Sequence, residues 1–121
     1  MGNWLVPHLF VYGTLRKGSK NKFARLLADQ SDYVGPARVS GRLYDFGRYP
    51  GARPAGQSDH WITGEVFRLR APAEALAILD EYEGPEYERA TVTAGERECW
   101  IYWYVGRAAG RLITSGDWLN R

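Results

Sequence analysis

The sequence predicts an α+β fold, a small mixed β-barrel or curled sheet with flanking short helices, and three observations carry that expectation. The 14 glycines and 6 prolines form a sixth of the 121 residues, which favours many short elements joined by turns over a helical bundle. Candidate strands outnumber candidate helices and do not alternate with them regularly, as a doubly wound sheet would require. Hydrophobic residues make up 45% of the chain and include 5 Trp, 8 Tyr and 4 Phe. That is enough apolar material for a packed core, and residues 1–121 are expected to form one domain of ordinary size, about 100–150 residues.

Each element follows from local pattern. His8-Leu-Phe-Val-Tyr12 is a β-favouring run that stops at Gly13, and Gly13-Thr-Leu-Arg-Lys-Gly18 begins and ends with glycine, as in a strand feeding a tight loop. Between Lys20 and Gln30, the residues Phe23, Leu26, Leu27 and Gln30 fall at helical spacing, with Asn21 as N-cap. Tyr33 to Tyr44 alternates weakly and is interrupted at Gly35-Pro36 and Gly41, the pattern of a strand that bends or bulges. Phe46 to Asp59 carries Pro50, Gly51, Pro54 and Gly56 and reads as an excursion over the surface. Alternation returns at Trp61–Leu69. Pro72 to Glu83 is the clearest helix, with Pro72 in its first turn, Ala and Leu in its middle and Gly84-Pro85 as its stop. Two strands follow, Tyr87–Thr93 and Cys99–Val105, around a Gly95-Glu96-Arg97 turn.

Composition excludes several function classes. The formal charge is +2 and the basic residues are dispersed, so no nucleic-acid partner is expected. The apolar runs fall far short of the roughly 20 residues that cross a bilayer. No secretory signal is read at the N-terminus, and a lone Cys99 suits a reducing cytoplasm. His8, His60 and Cys99 are too dispersed for a metal site, with His60 expected in an exposed loop, and no phosphate-binding glycine motif is present, so neither metal nor cofactor is expected. Ser115-Gly-Asp117 lacks a nearby histidine and reads as a turn, with Asp117 as a local cap or arginine partner. Trp100, Tyr102 and Tyr104 alternate with Ile101 and Trp103, as sheet-packing aromatics do.

One carboxylate stands out. At about 100° per residue, Leu76, Leu79 and Glu83 share a helix face, so Glu83 points inward with the leucines, whereas Glu81 faces solvent and Asp80 lies beside the leucine stripe. Glu83 also occupies the last turn, where the negative end of the helix dipole opposes ionisation. Burial and dipole both raise its pKa, the condition for a carboxylate that must act first as base and then as acid. The alternative at this point is a structural ion pair with Arg89 or another arginine.

Two stretches together are specific. Tyr12-Gly-Thr-Leu-Arg16 resembles the Tyr-Gly-Ser/Thr-Leu-Arg signature of the gamma-glutamylcyclotransferase-like (AIG2-like) family, and Leu79-Asp-Glu-Tyr-Glu-Gly84 with Tyr87 and Arg89 resembles its Leu-Asp-x-x-Glu-Gly…Tyr-x-Arg segment. Gly41-Arg-Leu-Tyr44, Tyr49-Pro-Gly51, Gly64-Glu-Val-Phe67, Trp100-Ile-Tyr102 and Ser115-Gly-Asp-Trp118 are also similar to the family, so the resemblance spans nearly the whole chain. It implies a cavity in which Tyr12, Gly13, Thr14 and Leu15 hold a gamma-glutamyl group, largely through backbone groups, with Tyr87 and Tyr102 as further substrate contacts. It also implies that Glu83 is the catalytic acid/base of a reaction releasing 5-oxoproline and an amine without metal or cofactor. A non-catalytic small-molecule-binding or regulatory protein on the same fold is the alternative.

Overall fold

The computed structural model describes residues 6–55 and 60–121. Its strands are β1 (His8–Val11), β2 (Ser31–Ser40), β3 (Arg42–Asp45), β4 (Pro50–Arg53), β5 (Trp61–Leu69), β6 (Tyr87–Ala94), β7 (Arg97–Tyr104) and β8 (Arg111–Leu112). Helix α1 (Lys22–Asp29) follows β1, helix α2 (Pro72–Glu83) follows β5, and a 3₁₀ turn covers Trp118–Asn120. No helix among the described residues is long and apolar enough to cross a membrane.

The strands form two open sheets. The larger runs β2-β5-β1-β7-β6 and the smaller β4-β3-β8. β1 is antiparallel to β5 and parallel to β7, which makes the large sheet mixed. Its edge strands β2 and β6 approach each other without forming a ladder. The expected barrel is therefore a curled sheet: twist brings the edges together, but no shared hydrogen bonds close them.

β1 is central and buried on both faces, which explains its unbroken apolar run. Leu9 and Val11 pack with Leu27, Leu76, Leu79 and Trp100 beneath the helices. Phe10 and Tyr12 pack on the opposite side with Ile62, Val66, Ile101 and Trp118.

Local chemistry fixes the helix ends. Asn21 caps α1, its side chain accepting the Ala24 N–H at 2.8 Å. Pro72 opens α2, and Gly84 ends it at φ 80°, a conformation that strains any residue with a Cβ.

Three expectations need correction. Tyr33–Tyr44 is not one bent strand: β2 starts at Ser31, bulges between Tyr33 and Gly35 and ends before Gly41, where the chain passes to the other sheet. The supposed surface excursion contains β4, whose Pro50, Gly51 and Ala52 are buried and which pairs antiparallel with β3. Its glycines and prolines hide the strand from pattern reading, and positions 56–59 of that excursion lie outside the described residues. His60 is partly buried rather than exposed, and its carbonyl accepts the Gly41 N–H at 3.1 Å. β8 and the 3₁₀ turn have too few residues to show a period.

Candidate active site

Where β1 ends, the chain turns tightly. The Gly13 carbonyl accepts the Arg16 N–H at 3.1 Å, while the N–H groups of Gly13, Thr14 and Leu15 donate to no acceptor among the described residues. Buried or partly buried donors left in that condition are well suited to an anionic or carbonyl oxygen.

The loop is held from three sides. Asn21 Nδ2 donates to the Thr14 carbonyl at 2.6 Å, so the residue that caps α1 also anchors the loop. The Thr14 and Tyr82 hydroxyls lie 3.0 Å apart, joining the loop to α2. Beneath it, the buried Arg16 guanidinium reaches Glu65 Oε2 at 3.1 Å and Asp117 Oδ1 at 2.7 Å, while Glu65 Oε1 accepts the Lys17 N–H at 2.7 Å. Asp117 is thus the expected arginine partner, and also the expected cap, accepting the Leu119 N–H at 3.0 Å.

Gly13 has a packing reason to be glycine. A Cβ there would stand 2.5 Å from Pro50 Cγ, so β4 packs directly on the loop backbone.

A cleft of about 240 Å³ opens beside this loop. Tyr12, Gly13, Thr14 and Leu15 line one side, and Glu83, Tyr87 and Tyr102 also face it, so all seven sequence-derived site residues meet in one cavity. Their side chains have unequal freedom. The buried Tyr12 hydroxyl donates to the Tyr102 carbonyl at 2.6 Å and accepts the Ala52 N–H at 3.3 Å, which makes this phenol a structural tie between sheets. Tyr87 donates to the Pro50 carbonyl at 2.9 Å. Tyr102 donates to Asp80 Oδ1 at 2.7 Å. Burial, reinforced by the Glu83 charge, holds the Tyr12 and Tyr87 phenols well above the ordinary tyrosine range. For Tyr102 burial acts together with the Asp80 hydrogen bond in the same direction.

Glu83 is the last residue of α2. No hydrogen bond or ion pair among the described residues engages its carboxylate. Burial pushes its pKa from 4.5 up to about 7. The alternative ion pair is not formed: Arg89 forks onto Asp80, with Nε to Oδ1 at 2.8 Å and Nη2 to Oδ2 at 3.1 Å, and its guanidinium lies over the Trp100 ring. Burial alone would raise Asp80, but the Arg89 and Tyr102 hydrogen bonds outweigh it and keep this carboxyl below its usual range. Glu81 is exposed, as its helical phase requires.

Sequence reasoning missed Tyr49, Pro50, Tyr82 and Glu86, which also line the cleft. Tyr82 and Glu86 flank Glu83 in the chain, and proximity to that residue was the available signal. Tyr49 and Pro50 belong to the family-like Tyr49-Pro-Gly51 stretch, which was the available signal, and they reach the cleft at the start of β4, where no strand was read.

The result is a small-molecule pocket whose partly buried, unpartnered Glu83 carboxylate can exchange a proton near neutral pH. Residues 9–120 match the family described as gamma-glutamyl cyclotransferase, AIG2-like. The gamma-glutamylcyclotransferase family protein YtfP of Escherichia coli K12 is 38% identical over 93% of this chain and 96% of its own length. The crystal structure of YkqA from Bacillus subtilis superposes with a TM-score of 0.77 at 33% identity, over 94% of this chain and 40% of that one. The gamma-L-glutamyl-butirosin B gamma-glutamyl cyclotransferase of Niallia circulans is 36% identical over 69% of this chain and 52% of its own. The chain belongs to the gamma-glutamyl cyclotransferase, AIG2-like family.

Proposed function

We propose that residues 1–121 act as one catalytic domain that releases 5-oxoproline and an amine from a small γ-glutamyl amide. The carrying observation is the unpartnered Glu83 carboxylate, raised to about 7, in the same cleft as a loop with three free N–H donors. The α-amine of the γ-glutamyl group attacks its own γ-carbonyl carbon. A C–N bond forms as the ring closes, and the C–N bond to the departing amine breaks. Glu83 accepts the proton lost by the attacking nitrogen and delivers it to the departing one, so it ends each turnover as it began. Tethering nucleophile to electrophile removes most of the entropic barrier. Gly13, Thr14 and Leu15 N–H groups supply donors to the substrate's oxygens, Tyr12 holds the loop's register, and Tyr87 and Tyr102 wall the folded substrate.

This chemistry draws on groups already in substrate and protein and calls for no cofactor. The reading takes the substrate as the partner, with neither nucleic acid nor membrane, in a reducing cytoplasm where Cys99 remains a buried free thiol. Incubating the protein with a panel of γ-glutamyl amides and following 5-oxoproline by mass spectrometry tests it. Product that depends on Glu83 supports it. Binding of these amides without product, in parent and Glu83→Gln alike, would replace it with the non-catalytic binding protein.

A further inference from the structure

The two charged side chains that line the cleft are both carboxylates, Glu83 and Glu86, and no Lys, Arg or His lines it among the described residues. Their positions differ. Glu83 is partly buried, whereas Glu86 is exposed and stands with the 38% exposed Tyr49 at the mouth. Glu86 forms no ion pair among the described residues. It is nevertheless oriented: the hydroxyl of the buried Tyr104 lies 3.4 Å from Glu86 Oε2 and itself accepts the Ala108 N–H at 2.9 Å. The Tyr87 ring lines the same cleft, close enough to Glu83 and Glu86 to feel both charges, and packs edge-on against Tyr104 with centroids 5.4 Å apart. Arg53 lies over the Tyr104 ring and donates to the Gly106 carbonyl at 3.0 Å, outside the cleft lining.

A carboxylate without a cationic partner, beside tyrosine rings, is chemistry that recognises a protonated amine. The same wall rejects a departing group that carries its own carboxylate, because nothing cationic is there to receive it. On the cyclotransferase reading just given, we infer that the outer cleft selects γ-glutamyl amides whose departing amine bears a second positive charge, with Glu86 as the specificity-determining residue that reads it.

Three amides of matched length test this: those of n-butylamine, 1,4-diaminobutane and 4-aminobutanoate, which present a neutral, a cationic and an anionic tail. The cationic amide is expected to have the highest kcat/KM and the anionic one the lowest, separated by about 10-fold at low salt and less as salt is added. Glu86→Gln should raise KM for the cationic amide by about 2–5-fold, the scale of an exposed ion pair, and act on KM rather than kcat. Glu86→Lys should invert the order. Equal or reversed preference in the parent, or a cationic-to-anionic ratio of kcat/KM unchanged in Glu86→Gln, overturns the inference while leaving the cyclotransferase reading intact. Absence of 5-oxoproline from all three removes that reading and the inference with it.

Discussion

Asp80 and Glu83 stand three residues apart on one helix, yet they differ in what surrounds the carboxylate. Asp80 is exposed, gripped by Arg89 and bonded by Tyr102, and its pKa is pulled down. Glu83 is more covered, has no partner among the described residues, and is pushed up to about 7. Partners convert a carboxylate into a fixed negative charge that positions its neighbours. Their absence in a desolvated place leaves it able to change charge, and separation of two such pKa values is a means of dividing structural from proton-transfer roles.

The sharpest way to break this contrast is Glu83→Gln, which preserves size but cannot cycle a proton. We expect 5-oxoproline formation to fall by roughly 10²–10⁴-fold with substrate binding and folding retained, and Glu81→Gln to behave like the parent. If Glu81→Gln were the slow variant instead, the assignment of the acid/base would move to the other side of the helix.

Next in size is the buried cluster beneath the loop. Arg16→Met leaves Glu65 and Asp117 without their cation, and losing one member of a buried pair costs about 3–5 kcal/mol. Chemical denaturation should show that loss. An effect under about 1 kcal/mol would mean that the loop is not held through Arg16.

Asp80→Asn should do less, because this pair is substantially exposed. The expected loss is about 1 kcal/mol of stability and less than 10-fold in turnover, through slackened Tyr102. A turnover loss as deep as that of Glu83→Gln would show that the partnered carboxylate takes part in proton transfer.

The smallest effect sharpens the pKa argument. A carboxyl whose pKa is raised on folding stabilises the protein below its unfolded value, here 4.5, and that contribution is lost as pH rises through about 7. Replacing Glu83 by Gln removes the penalty of the buried charge, so Tm should exceed the parent's at pH 8 and match it at pH 4. A Tm difference that ignores pH would mean Glu83 titrates in the folded protein as it does unfolded.

Some of this was legible locally. Helical phase alone placed Glu83 inward and Glu81 outward, and Pro72 and Gly84 bounded the helix as found. The loop from Tyr12 was readable from its glycines. The reason that Gly13 must be glycine was not, because Pro50 lies on a strand made of turn-forming residues. Arg16 gave no local sign of its burial, since one of its partners lies 101 positions away.

What the sequence determined by itself is what a period or a cap can encode: the two helices and the regularly patterned strands, where α2 starts and stops, and which face of α2 each carboxylate takes. These follow from interactions within a few residues, whose geometry is the same in any fold. Which carboxylate receives the arginine, which phenols are tied to carbonyls, and that the larger sheet curls without closing were decided by tertiary structure. Arg89 reaches Asp80 rather than Glu83 because the register of β6 against β7 and the packing of α2 on the sheet set distances that no local pattern contains. Ion pairs and hydrogen bonds require those distances to within a fraction of an ångström.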